Sequence, residues 1–411
     1  MYDIAIIGAG AAGIACAKSA AKGGLKAVLI DSEKDAFGGI CLNSGCIPTK
    51  TFLLYTKLNK TWQDSFVEKE KNVEQIKTAL FSFLKNNNVD IFWGQAKFLD
   101  VNTVDIDGKE ISAKYVIIAT GSRPKSLLNH PKVILSEQLL DKRELPSKIL
   151  IIGAGYIGIE FASLLCAQGK TVYVVEKEET ILPNFDAHIS ARLRIILEKK
   201  GIKIDTASNI SNYNLDSFDM VLSAVGRLPN IENLNLGKVG IAQDKDGWIK
   251  TDKSMRTNIK NIYACGDVTG KKLLAYIAEY QAQICIDNIK GISAVEDYSG
   301  IPECVFSIPE VAFAGMTEEE ARKKNIKYTL LKSNFLKFSS AYVYNDRDGF
   351  IQLIVGQDDR IIGVGIISNM AAELVSLFSF SIRNNTKVSD LKKCIFVHPT
   401  LSEIIPLFLN F

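Results

Sequence analysis

Two stretches of the chain repeat one order of apolar run, glycine cluster and helical segment. Met1–Ile7 predicts a buried parallel strand, and Gly8-Ala9-Gly10-Ala11-Ala12-Gly13 follows it. A helical stretch comes next, and the apolar run Ala27-Val28-Leu29-Ile30 closes at Asp31. Further on, Ile149–Ile152 leads into Gly153-Ala154-Gly155-Tyr156-Ile157-Gly158, a helix, and then Thr171–Val175, closing at Glu176. Counted from the first glycine, both copies place glycines at offsets 0, 2 and 5 and an acid at 23. Continuous apolar runs of this length suit strands covered on both faces. Elsewhere the periodicity predicts a helix over Asp64–Leu84, with apolar Val73, Ile76, Leu80, Phe83 and Leu84 on one side. A second amphipathic helix is predicted over Asp186–Lys200, stopped by Gly201, and Thr317-Glu318-Glu319-Glu320 has the form of a capping box. Gln95–Asp105, Trp248–Thr251 and Gly349–Val355 predict short strands.

Each repeated unit is a strand–helix–strand with the dinucleotide fingerprint. The first glycine permits the tight turn, the second lets backbone approach a pyrophosphate, and the third lets helix and strand pack closely. The helix N-terminus offers unpaired N–H groups to phosphate, and the terminal acid accepts from ribose hydroxyls. One such motif is weak; two complete units at identical offsets are strong. The fold class expected is α/β: two Rossmann-like domains and a C-terminal α+β domain that lacks the glycine pattern.

Composition narrows the function classes. A chain of 411 residues predicts two or three domains at roughly 150 residues each. Lysine plus arginine number 49 against 46 acids, and a net charge of +3 gives no electrostatic case for nucleic acid or an anionic membrane. The uncharged stretch Ile4–Ala17 falls short of the roughly 18–20 residues that span a bilayer, and Met1-Tyr2-Asp3 offers no basic leader region. Eight cysteines are too sparse for a disulfide scaffold, which predicts a reducing, cytoplasmic setting.

One cysteine pair stands apart. Gly38-Gly39-Ile40-Cys41-Leu42-Asn43-Ser44-Gly45-Cys46-Ile47-Pro48-Thr49-Lys50 places two thiols five positions apart. They can close a disulfide if the chain folds tightly, with Gly45 to permit it. If Cys46 starts a helix, the helix terminus lowers its pKa, and Lys50 shares its face. No second cysteine or histidine pair stands at metal spacing, so no metal is expected. Two merely buried thiols, the plainer reading, would not need the glycines and Pro48 around them.

This motif resembles the redox-active disulfide of the flavin-dependent pyridine nucleotide–disulfide oxidoreductases, and within them the dihydrolipoamide dehydrogenases. Further matches follow in the family's order: Ala119-Thr120-Gly121-Ser122-Arg123-Pro124, Gly158-Ile159-Glu160, Val225-Gly226-Arg227-Leu228-Pro229-Asn230, Ala264-Cys265-Gly266-Asp267-Val268, Ile308-Pro309-Glu310 and His398-Pro399-Thr400-Leu401-Ser402-Glu403. The resemblance implies a discontinuous FAD-binding domain (1–125 and 256–296), an NAD-binding domain (126–255) and an interface domain (297–411). FAD is implied at Gly8, Gly10, Ala11, Ala12, Gly13, Asp31, Ser32, Gly39, Ile40, Lys50, Ala119, Thr120, Gly121, Gly266, Asp267, Leu274 and Ala275. NAD is implied at Gly153, Gly155, Tyr156, Ile157, Gly158, Glu176, Val225 and Gly226, with Tyr156 shielding the flavin. Glu176, without a nearby arginine for a 2′-phosphate, favours NAD over NADP. Lys50 is implied to lie beside the flavin and pair with Glu160.

His398 is one of three histidines, with a carboxylate, Glu403, five residues on. Exchange between a dithiol and a disulfide needs a base near neutrality; imidazole suits it, and Glu403 can orient the ring. In the family this histidine serves the disulfide of the other subunit, which implies a homodimer. The expected activity is oxidation of dihydrolipoamide through Cys41 and Cys46, with FAD and NAD as acceptors. The expected partner is the lipoyl domain of a 2-oxo acid dehydrogenase or glycine cleavage complex. The rivals are reduction of another small disulfide, as in glutathione reductases, and a role that is chiefly docking in such a complex. Tyr276 stands where dihydrolipoamide dehydrogenases commonly have histidine, Asp31 replaces a more usual glutamate, and the chain is shorter than is usual in the family.

Overall fold

The computed structural model describes residues 1–410, in two compact units. The first comprises residues 1–126, 136–143 and 226–297. Its seven-stranded sheet has parallel strands at the centre. Tyr2–Ile7 lies between Ala27–Asp31 and Lys109–Ile118, with Asp90–Trp93 beyond the former. Ile262–Ala264 also pairs in parallel with Lys109–Ile118, returning the chain to the first sheet after a long excursion. Thr103–Ile106 and Ala96–Phe98 extend that edge as an antiparallel meander. The central strands are buried on both faces, as their unbroken apolar runs require: Ile4 and Ile6 face one cluster, Ala5 and Ile7 another.

The second unit comprises residues 127–135, 144–225 and 298 onward. It holds a five-stranded parallel sheet built around Lys148–Ile152, flanked by Thr171–Val175 and Met220–Ser223. A five-stranded antiparallel sheet runs in the order Pro302–Val305, Glu310–Gly315, Ile361–Ser368, Phe350–Gly356, Tyr328–Asn334. Leu374, Val375 and Phe378 of the helix Ala371–Arg383 cover one face of it.

The predicted helices form at nearly the predicted bounds. The one expected over 64–84 runs Trp62–Asn86, starting two residues earlier because Thr61 and Asp64 close a capping box there. Asp186 caps Ala187–Lys199 through the His188 amide, and Thr317 with Glu320 caps Glu318–Lys323. Two strand expectations change. Gln95–Asp105 is broken by a turn into Ala96–Phe98 and Thr103–Ile106. Trp248–Thr251 is not a strand: an isolated bridge between Ile249 and Gln243 is all the ladder it makes. Asp244 accepts from the amides of Asp246 and Trp248, so the chain turns there instead of pairing.

Candidate active site

The two glycine turns have the same construction. Gly8 and Gly153 sit at φ +106° and +99°, and a Cβ on either would lie 2.4 Å from the Ala119 oxygen or 2.6 Å from the Ala224 oxygen. A Cβ on Gly13 or Gly158 would fall within 2 Å of the Gly8 or Gly153 carbonyl, which is how closely helix and turn approach. The middle glycines differ: Gly155 has open space around its Cβ position, and Gly10 meets only the Gly39 Cα, at 3.9 Å. Both serve as N-caps without a side-chain cap, so the first amides of Ala11–Lys22 and Tyr156–Ala167 keep no side-chain acceptor from the cap. That is a cradle for a diphosphate in each unit, and FAD and NAD, both dinucleotides, fit it.

The terminal acids also correspond. Asp31 Oδ2 accepts the Ala9 amide at 2.5 Å and Oδ1 the Glu33 amide; Glu176 Oε2 accepts the Ala154 amide at 2.6 Å and Oε1 the Glu178 amide. Each carboxylate is thereby fixed at the end of its strand. Burial pushes the Asp31 carboxyl above its usual range, with the amides of Ala9, Glu33 and Ser32 opposing.

The cysteine loop is seated on the first turn. Gly38 donates its amide to the Ala9 carbonyl, and a Cβ on Gly39 would lie 2.7 Å from the Gly10 Cα. A short helix, Gly39–Asn43, carries Cys41; the helix Cys46–Lys57 begins at Cys46. Between them Gly45 lets the chains close up, since its Cβ would be 2.8 Å from the Ile40 oxygen. The Asn43 amide nitrogen binds three carbonyls, those of Ala36, Phe37 and Gly39, at 2.8–3.1 Å, and so braces the loop. Sequence reading missed Asn43; its place between the cysteines was the available signal. The long helix holds the second cysteine's helix in place: Phe52 stacks on Trp62 at 4.0 Å, and Trp62 Nε1 donates to the Lys142 carbonyl.

Cys41 and Cys46 are not joined in a disulfide and lie half-buried and side by side. The Cys41 thiol is held far above its ordinary pKa, first by its hydrogen bond to Cys46, then by burial and the charge on Cys46; Lys50 opposes this. Cys46 stands at the N-terminus of its helix, a place that favours a thiolate there.

The pair of short strands Ser122–Pro124 and Arg227–Pro229 joins two of the quoted motifs. Ser122 Oγ donates to Asp267 at 2.7 Å and accepts from Arg227 Nε at 2.6 Å. Burial raises the Asp267 carboxyl, against the pull of Ser122 and Arg227. Thr120 Oγ1 donates to the Asn230 carbonyl, and the Asn230 amide donates to the Thr120 carbonyl. Gly121 and Gly226 take positive φ with open space beside them. Gly266, at φ +76°, lies 2.9 Å from the Ala12 methyl by its Cβ position and donates to buried Gln281. Leu274 caps Ala275–Ile289. Gln281 and Arg227 carry the geometry here and were not among the expected site residues.

In the second unit His398 Nδ1 and Glu403 Oε2 are 2.7 Å apart, the ring 71% exposed and the carboxylate buried. The exposed ring can receive a substrate while its other face stays fixed. Glu160 accepts the Phe306 amide at 3.0 Å. Among the described residues no group of three or more His, Cys, Asp or Glu is arranged to hold a metal ion.

Known proteins of this construction are numerous. The family model described as pyridine nucleotide-disulphide oxidoreductase matches residues 2–282, and the dimerisation-domain model of the same description matches 301–407. A dihydrolipoyl dehydrogenase of Chlamydia muridarum is 33% identical over 98% of this chain and 95% of its own length. One from Bacillus subtilis is 34% identical, with 98% and 94% covered. The solved structure titled HOCl-induced flavoprotein disulfide reductase RclA from Escherichia coli aligns with a TM-score of 0.94 at 29% identity, over 100% of this chain and 99% of that one.

Proposed function

Because the chain belongs to the pyridine nucleotide–disulphide oxidoreductase family, whose members use FAD and NAD(H), we propose that it is a dihydrolipoamide dehydrogenase. Flavin-dependent disulfide oxidoreductase chemistry comes with the family; the choice of dihydrolipoamide is the proposal. The observation that carries it is the dithiol loop, with Cys41 and Cys46 side by side and Cys46 at a helix N-terminus, beside full-length similarity to dihydrolipoyl dehydrogenases.

The chain's own residues supply the exchange steps. His398, oriented by Glu403, takes a proton from one substrate thiol. That thiolate attacks Cys41 of the oxidised pair; the S–S bond breaks and Cys46 leaves as thiolate. The second substrate thiolate then displaces Cys41 from the mixed disulfide, closing the cyclic disulfide product, and Cys41 takes the proton. FAD and NAD, when bound, supply the two-electron acceptors that return the pair to the disulfide. The residues that would hold FAD are Gly8, Gly10, Ala11, Ala12, Gly13, Asp31, Ser32, Gly39, Ile40, Lys50, Ala119, Thr120, Gly121, Gly266, Asp267, Leu274 and Ala275, in a domain of residues 1–125 and 256–296. Residues 126–255 would hold NAD through Gly153, Gly155, Tyr156, Ile157, Gly158, Glu176, Val225 and Gly226, and 297–411 would form the interface.

The dimerisation domain supports a homodimer. Tyr342, Val343, Phe380, Ile395 and Val397 are exposed apolar side chains in that segment, surface that a second copy would cover. His398 would then serve the Cys41–Cys46 pair of the partner subunit. The partner in the cell would be a lipoyl domain of a 2-oxo acid dehydrogenase or glycine cleavage complex, in a reducing cytoplasm. No helix among the described residues is long and apolar enough to cross a membrane.

A second reading, reduction of a different disulfide, is favoured by the fold match to a protein titled a flavoprotein disulfide reductase. Glutathione-type relatives bind their substrate and NADPH with arginines. Here Gln283, on the helix Ala275–Ile289, is uncharged and tied to Ser19 and Asp287. A substrate panel decides between the readings: NAD reduction with dihydrolipoamide, against NADH and NADPH oxidation with several disulfides. Turnover confined to the latter would reject dihydrolipoamide.

Two expected results belong here. The purified protein carries one FAD per subunit and absorbs as an oxidised flavin; a colourless protein that takes up no FAD on reconstitution contradicts the assignment. Replacing Glu176 by a small neutral residue with an arginine added nearby raises NADP use relative to NAD by about tenfold or more, since one removed charge repulsion is worth ~1.4 kcal/mol or above. A wild type that already prefers NADPH refutes the role given to that acid.

A further inference from the structure

The strand Ile262–Ala264 is entered through a tight turn at the opposite end of the first sheet from Gly8 and Gly266. The Thr257 amide donates to the Ile262 carbonyl and the Ile262 amide to the Ile259 carbonyl, both at 2.9 Å. Arg256 thereby stands opposite Tyr263, and Lys260 sits at the tip. Asn261 ties the tip down: its side-chain amide donates to the Val101 carbonyl at 2.7 Å, and its own carbonyl accepts the Val116 amide. Between this turn and Lys114 and Tyr115 of the neighbouring strand lies a cavity of about 320 Å³, lined by Arg256, Lys260 and Tyr263 among others. That is within the size range of small-ligand sites, about 300–1,000 Å³. The lining holds three cations and no carboxylate. Asp3 neutralises Lys114 at 2.8 Å, but the other two are not neutralised. Arg256 Nε and Nη2 both donate to the Tyr263 hydroxyl, at 3.2 and 2.9 Å, a neutral acceptor that leaves the charge uncompensated. Asp252, just ahead of the turn, spends Oδ1 on the amides of Ser254 and Arg256. Lys260 has no ion-pair partner among the described residues. Tyr115 brings an aromatic ring to the same wall, edge-on to Tyr263 at 6.3 Å.

We propose that this cavity is a binding site for a nucleoside monophosphate, with Arg256 and Lys260 on the phosphate and Tyr115 against the base. Two uncompensated cations beside an aromatic ring call for a ligand with one anionic and one flat end. Guanidinium and ammonium both bind phosphate, the former through paired N–H groups, and every base has a face that stacks on a tyrosine. A single carboxylate would match one of the two cations. A phosphate monoester, whose second proton leaves near pH 6, carries charge for both. The turn is held by backbone hydrogen bonds and by Asn261, so the cations are already in place and little ordering is left to offset binding. The site lies at the end of the strands away from the FAD cradle, and its occupant leaves both dinucleotide sites open.

The test is calorimetric titration of the FAD-loaded protein, with NAD present in excess, with AMP, adenosine and inorganic phosphate, for wild type, Arg256→Gln, Lys260→Gln and Tyr115→Leu. Wild type is expected to take up one AMP per subunit, with adenosine bound about tenfold more weakly or less tightly still. Arg256→Gln and Lys260→Gln each weaken AMP by about tenfold and leave adenosine unchanged; Tyr115→Leu weakens AMP about fivefold or more and leaves inorganic phosphate unchanged. Flavin content and NAD affinity stay at wild-type values throughout. No uptake of AMP, uptake that NAD excludes, or binding that neither charge variant weakens overturns the site. Inorganic phosphate bound as tightly as AMP overturns the nucleotide. If Arg256→Gln fails to fold for want of its bond to Tyr263, Lys260→Gln decides alone, because that side chain is exposed and its removal breaks no contact within the protein.

Discussion

Cys41→Ser shows long-wavelength thiolate-to-flavin charge-transfer absorbance without any reductant, and Cys46→Ser never shows it, even after two-electron reduction. The asymmetry follows from where a thiolate is favoured. The hydrogen bond to Cys46 raises the Cys41 thiol above its ordinary pKa, and Cys46 opens the helix Cys46–Lys57 with Lys50 one turn further on. Helix terminus and lysine charge both stabilise an anion at that sulfur. With Cys41 removed, Cys46 has no disulfide partner and remains a thiolate at neutral pH. The band fades as pH falls, since protonation removes the donor. Both variants lose dihydrolipoamide turnover, on the order of 10³-fold or more, because the covalent route needs both sulfurs. Both keep electron transfer from NADH to an artificial acceptor, since neither dinucleotide cradle is altered. The reverse spectral pattern would mean the two sulfurs are interchanged, and full turnover in either variant would remove the disulfide from the reaction.

The second large effect is at the base. His398→Gln lowers kcat for dihydrolipoamide by about 10²–10⁴, the usual contribution of a positioned general base. Glu403→Gln keeps the ring and costs less, about 10–10²-fold, through loss of the carboxylate that orients Nδ1 at 2.7 Å. Flavin content and the NADH-to-acceptor rate stay at wild-type levels in both. Stopped-flow reduction by dihydrolipoamide separates the steps. A slow first reduction with a normal NAD-dependent phase is the expected result. Unchanged reduction in His398→Gln would place the base elsewhere.

Much of this was legible in the chain alone because it depends on local steric rules. Glycines at offsets 0, 2 and 5 followed by an acid at 23 leave one geometry for strand, turn and helix, and both copies adopt it down to the same pair of amide contacts on the acid. The cysteine spacing with Gly45 between likewise permits one close approach. The helix caps at Thr61, Asp186 and Thr317 satisfy amides within three residues, so they too are written locally. What the tertiary structure decided involves partners far apart in sequence. Trp248–Thr251 has strand-forming residues but no neighbouring ladder, so Asp244 turns it instead. The Ser122–Arg227–Asp267 network joins three motifs more than 100 residues apart at its widest, and Gln281 reaches Gly266 from a later helix. Glu303 carries no motif, and only the packing of Pro302–Val305 against Tyr156–Ala167 brings it to the tyrosine hydroxyl. Side-chain hydrogen bonds of this kind have no period along the chain; they exist only where separate elements are brought together, which is why a sequence pattern does not announce them.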